Sequence, residues 1–356
     1  MNDKPEKPKQ PEPPEGKRVT LRDIARALGV SHVTVSKALR NQSGASAELR
    51  ARIQKKAEEM GYIPDPMLSA LSHYRKTSKT KPAHSELAWI NSWPDPEKMM
   101  QFKEFKLYWQ GARDNAQRFG YHLEAFNLSE IPFHRLETIL KTRNIQGILL
   151  PPPPFPNPLQ NPDQFDWAAF SLVRFGHAEA LPKTHYVTSA QMMNTMQSFN
   201  RARELGYKRI GFICEYWHAR FFSVGYSWAQ KELPLQQRLP ELLLNTSDDT
   251  EHQKEAVTTW IRQNRPDAII TDKSEIPDML RDLGYSIPDD IGLVTTSIHD
   301  MPINAGIDQR PYEIGRAAVR ILTSLIAERS FGIPSCRNET LIEGEWVDGP
   351  MLPPRN

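Results

Sequence analysis

The sequence predicts an α/β protein with an all-α helix-turn-helix at its amino end and two doubly wound lobes behind it. Three observations carry this expectation. Between residues 20 and 60, three short amphipathic stretches are separated by capping residues and a tight glycine turn. From residue 87 onward, short apolar runs alternate with helical periodicity, the pattern of βαβ units and parallel sheets. These runs are too many for one sheet of ordinary width. Charge is also divided: residues 1–81 hold 17 Lys and Arg against 9 Asp and Glu, and the remainder holds 28 against 34. A basic end on an acidic body suits a nucleic-acid reader joined to a domain with another task.

Residues 1–17 carry five prolines and no large apolar residue after Met1, so they are expected to form a disordered tail. The helix-turn-helix headpiece spans 18–64. Thr20 caps a first helix whose Leu21, Ile24, Ala25 and Leu28 share one face. Gly29 supplies the positive φ of the turn. Ser31 caps a second helix with Val35, Ala38 and Leu39 inward, and Ser46 opens a third with Leu49, Ile53, Ala57 and Met60 inward. His32, Val33, Ser36 and Lys37 then face outward, a set of short side chains and one cation that suits a major groove. The hydroxyls of Ser31 and Thr34 can meet phosphates. Thr20, Asn41 and Tyr62 complete the candidate DNA-facing set.

Residues 65–83 read as a helix and a basic linker: Asp65 is a good cap, Pro66 fits a first helical position, and Met67, Leu68, Leu71 and Tyr74 line one side. The core spans 84–350. Strands are expected at 87–90, 121–126, 147–150, 170–175, 209–214, 242–244, 268–271 and 291–296. Helices are expected at 105–119, 133–143, 190–205, 224–232, 252–264, 276–283 and 311–328. The proline run from Pro151 reads as a stiff loop at a strand's carboxyl end.

The wording of the headpiece is specific. Val19-Thr20-Leu21, Asp23-Ile24-Ala25, Gly29-Val30-Ser31, Thr34-Val35-Ser36, Arg50 and Gly61-Tyr62-Ile63-Pro64 resemble the DNA-binding headpiece of LacI-type transcription regulators. The core is similar to the sugar-sensing core of that family at Gly111-Ala112-Arg113, Gln146 to Leu150, Leu205 to Phe212, Arg265 to Ile270, and Ile307-Asp308-Gln309 through Gly315. The resemblance implies two lobes of periplasmic-binding-protein type around a ligand cleft and a homodimer on a pseudo-palindromic double-stranded operator. It also implies a hinge helix that wedges Leu71 into a base step. His32 and Lys37 replace the family's usual Tyr and Arg, which implies a different operator. Pro66 and Leu68 are unusual in the hinge.

For the cleft, the resemblance implies a small effector, a sugar or a related metabolite. The usual Arg and Asp anchors are replaced by Phe222 and Ser297. Trp93, Trp217, Arg220 and Asp272 are the candidate effector contacts, with Asp300 a possible substitute for the missing carboxylate. Aromatic faces stack on sugar rings. No nucleophile elbow, phosphate loop, dinucleotide fingerprint or zinc-protease motif occurs, so no enzyme, cofactor or metal is expected. Two cysteines, Cys214 and Cys336, imply no disulfide framework and a reducing cytoplasm, and no apolar run is long enough for a membrane span. A solute-binding protein and an architectural DNA-binding protein with a silent core are the alternatives.

Overall fold

The computed structural model describes residues 19–39, 46–62, 85–154, 165–176, 182–245 and 247–355. The amino-terminal tail, Asn41, Pro66, Leu68, Leu71 and the rest of the expected hinge lie outside them. The chain divides into two compact units, Met1–Ala83 and His84–Asn356.

The first unit contains α1 (Leu21–Leu28), α2 (His32–Leu39) and α3 (Ala47–Glu59). Its core is small: Ile24, Ala25, Val35, Ala38, Ile53 and Ala57 are buried, and Val19, Leu28, Val30, Met60 and Tyr62 pack around them. Gly29 ends α1 at φ 66°, where a side chain would strain the backbone. Ser46 accepts the Leu49 amide at 3.2 Å and so starts α3.

The second unit holds two six-stranded sheets. The amino-terminal lobe contains β1 (Ser85–Asn91), α4 (Pro96–Gln101), α5 (Lys103–Arg118), β2 (Tyr121–Asn127), α6 (Phe133–Thr142), β3 (Gly147–Leu150), β4 (Ser171–Phe175) and β5 (His185–Ser189). The chain then builds the second lobe from α7 (Gln191–Glu204), β6 (Ile210–Glu215), α8 (Ala219–Ala229), β7 (Glu241–Leu244), α9 (Thr250–Asn264), β8 (Ala268–Thr271), α10 (Ile276–Asp282), β9 (Gly292–Thr295) and β10 (Gly306–Asp308). It returns for α11 (Pro311–Glu328), β11 (Glu339–Ile342) and β12 (Glu345–Val347). The sheet orders are β11-β5-β4-β3-β1-β2 and β12-β10-β9-β8-β6-β7. Among the described residues every pairing is parallel except β10 with β12.

The two-lobed expectation therefore holds. Strands β3, β4, β6, β8 and β9 are buried along their whole length, because helices cover both faces of a parallel sheet. Three departures have physical reasons. β5, β10, β11 and β12 escape a hydrophobicity reading: β5 is polar at His185, Thr188 and Ser189, β10 has three residues, and β11 and β12 are exposed edge strands. α4 starts from the Asp95 side chain, which accepts the Glu97 and Lys98 amides, with Pro96 at its first position. The helix expected over 224–232 begins five residues earlier, directly after a 3-10 turn at Tyr216–His218.

α5 and α11 pack on the first sheet at very close range. A Cβ on Gly111 would lie 2.0 Å from the Tyr312 carbonyl oxygen, and one on Gly315 would lie 2.2 Å from that of Tyr108. Only glycine admits that approach.

Candidate functional site

Most of the DNA-facing candidates sit on α2, His32 and Val33 in its first turn and Lys37 in its last. His32, Val33 and Lys37 are exposed, Val33 by 49%, while Val35 and Ala38 anchor the other side in the core. The Ser31 hydroxyl accepts the Thr34 amide at 3.0 Å and lies 2.8 Å from the Thr34 hydroxyl, so both are first engaged in capping. Thr34 and Ser36 are half-buried. Thr20 donates its amide and its hydroxyl to Asp23, at 2.9 and 2.6 Å, closing a capping box that fixes the start of α1. Tyr62 packs against the headpiece core.

The cleft candidates are less uniform. In the second lobe, Asp272 follows β8, and its side chain is only 6% exposed. One carboxylate oxygen accepts the Glu215 amide at 3.0 Å; the other lies 2.5 Å from His218 Nδ1. The carboxylate thereby sets the orientation of a half-buried imidazole whose other nitrogen lies on the far edge of the ring. The Trp217 ring lies against that ring, tilted by 45° with centroids 3.5 Å apart, and is 43% exposed. Arg220, the second residue of α8, lies over the Phe221 ring at 4.6 Å. Trp217 and Asp272 thus converge on His218. Below them, Lys273 and Glu215 form a buried ion pair at 2.9 Å, and Cys214 is fully buried, its thiol pushed far up by burial.

Trp93 stands elsewhere, after β1 in the first lobe. Its indole N–H donates to the Pro152 carbonyl at 2.9 Å, and its ring packs in an aromatic group with Phe102 and Phe105. Pro151 to Pro154 thus follow β3 directly, at the strand end where the sequence places the loop, and the remainder of the run lies outside the described residues. A cavity of about 420 Å³ opens at the carboxyl ends of β1 and β2, lined by Asn91, Gln101 and Asn127 among others. Trp89 also borders it, but its Nε1–H is sealed from solvent and has no hydrogen-bond partner.

Asp300, the possible substitute anchor, is committed within the protein. Its carboxylate accepts the amides of Lys103 and Glu104, at 2.8 and 3.0 Å, from the start of α5 in the other lobe. Glu104 in turn accepts the Tyr108 hydroxyl at 2.6 Å. Burial raises its carboxyl above the usual range, against the opposing pull of Tyr108, His299 and His218. Sequence reasoning singled out none of Glu104, His299 or the His218–Asp272 pair. Their partners lie up to about two hundred residues away, and no local spacing announces them.

Comparison with known proteins agrees with this layout. Residues 20–65 match the family model for bacterial regulatory proteins of the lacI family, and residues 199–345 match that for a periplasmic binding protein-like domain. The HTH-type transcriptional regulator RegA of Clostridium saccharobutylicum is 23% identical over 337 residues, covering 89% of this chain and 95% of that protein. Other curated regulators match over the headpiece alone, where the chain spans 15% or 16% of their length. Among solved structures, a transcriptional regulator CelR–cellobiose complex aligns with TM-score 0.53 at 18% identity, over 94% of this chain and 100% of that one. The lac repressor dimer bound to operator and the anti-inducer ONPF aligns with TM-score 0.52 at 15% identity, over 95% and 100%. At such identities the likeness concerns the fold.

Proposed function

We propose, from the match of residues 20–65 to the lacI family model and of residues 199–345 to a periplasmic binding protein-like domain, that the chain is a LacI-type sequence-specific repressor that acts as a homodimer on a pseudo-palindromic operator in the cytoplasm and is released by a small effector, a sugar or a related metabolite. The observation that carries this reading is the outward turn of α2. His32, Val33 and Lys37 stand exposed on a helix whose opposite side is locked into a complete core, so their side chains are free to enter a major groove. The effector contacts proposed are Trp93, Trp217, Arg220 and Asp272, with Asp272 acting through the His218 imidazole that it holds. The CelR complex contains cellobiose, which supports a carbohydrate as the first class to try. With Phe222 4% exposed and Ser297 in place of a carboxylate, the ligand should be less polar than a hexose.

Operator selection followed by mobility shifts tests the reading. His32→Ala and Val33→Ala should change which operator is preferred, and Lys37→Ala should weaken the preferred site by about 1–3 kcal/mol, with little loss on random DNA. Equal weakening on every sequence would reduce these residues to backbone contacts. Adding sugars to the same complexes, with Trp fluorescence as a second readout, should release DNA by about 1–3 kcal/mol of coupling. Release that survives both Arg220→Ala and Asp272→Ala would move the ligand site elsewhere.

A further inference from the structure

We propose that Asp300 is a strap that holds the two lobes of the core together without a ligand. α5 is sixteen residues long and is the principal cover of the first sheet beside α11. Its own cap position is Phe102, which offers no side-chain acceptor to the first turn. The free amides of that turn need acceptors. They find them in the other lobe: the Lys103 N–H donates to Asp300 Oδ1 at 2.8 Å and the Glu104 N–H to Oδ2 at 3.0 Å. Each carboxylate oxygen takes one amide, and the negative charge faces the positive end of the helix. The two elements joined are 197 residues apart in sequence.

The strap is built on a stiff arm. Asp300 has φ 58°, in the left-handed region that side chains other than those of Asn and Asp seldom adopt. The turn before it is pinned twice. Thr295 donates its hydroxyl to the Ser297 carbonyl at 2.8 Å, and His299 Nε2 lies 3.1 Å from the Asp308 carboxylate. On the other side, Phe102 is clamped between Trp93 and Phe105. Neither end can drift far while both amides stay bonded. A carboxylate that the sequence offered as a ligand contact is therefore spent on closing the core, and a ligand that opens the lobes must first displace it. The inference concerns the core alone and stands whatever the headpiece reads.

A distance measurement decides it. In full-length protein with Cys336→Ser, nitroxide labels at Gln117→Cys and Glu255→Cys report the separation of the lobes by double electron–electron resonance. Asp300→Asn keeps the left-handed backbone but removes the charge and one acceptor oxygen; Asp300→Gly removes the side chain without straining the turn. In dimers diluted with an excess of unlabelled chain, so that each holds one labelled protomer, the parent should give one narrow distance. Both variants should add a second population displaced by several ångström. Distance distributions that superimpose in all three proteins would overturn the strap.

Discussion

Glu104 sits where opposing influences meet: burial and the Asp300 carboxylate favour its neutral form, while the Tyr108 hydroxyl, His299 and His218 favour the ion. Burial is the largest, so the folded chain holds this proton more tightly than the unfolded chain does. Between the ordinary carboxyl value near 4.5 and the raised one, the native state binds more protons, and stability falls as pH rises through that window. Glu104→Gln keeps an acceptor for Tyr108 and cannot titrate, so its melting temperature should decline less from pH 4.5 upward. Parallel melting curves for the two proteins would show that the carboxyl ionises as freely as an exposed one. At this scale the sequence was readable in the headpiece, where Thr20, Ser31 and Ser46 announce caps within four residues of their partners. It was opaque in the cleft. Asp272 stood out, but its partner His218 is 54 residues away, and the commitment of Asp300 to another lobe leaves no local pattern.

Helices and strands divide in the same way. Long elements with a clear apolar face, such as α9 and α11, fall within two residues of their expected ends, because burial of one face dominates their stability. The four unforeseen strands are short or lie at sheet edges, where pairing rather than side-chain burial keeps them in place. The contact of α5 with α11 shows a further limit. Gly111 and Gly315 look like weak points in helices until the carbonyls opposite them are known. Gly111→Ala would gain intrinsic helix propensity of about 1 kcal/mol. It would also force a methyl group against the Tyr312 carbonyl, which only backbone movement can relieve. Overpacking of this kind costs about 1–3 kcal/mol or more, so the net effect expected is a lower urea midpoint at unchanged slope. An equal or higher midpoint would mean that the two helices separate without loss.

For the whole molecule, the proposed dimer follows from the size of one headpiece. Three exposed side chains on a single α2 discriminate too few base pairs, whereas two headpieces on a palindrome double them. Sedimentation at micromolar concentration should find dimers, and a monomer with full operator affinity would remove the basis for pseudo-palindromic reading. The order of elements along the chain has a consequence of another kind. The ribosome completes β1 to β5 long before it makes α11, whose Ile314, Val319, Leu322 and Ile326 seal the same sheet. At about 5–20 residues per second, the nascent first lobe waits on the order of ten seconds with part of its apolar face open. Every strand of the second lobe except β12 is synthesised within that interval. A newborn chain therefore depends on folding helpers most at its first lobe, and a message cut short before residue 311 would yield a polypeptide that exposes the face meant for α11.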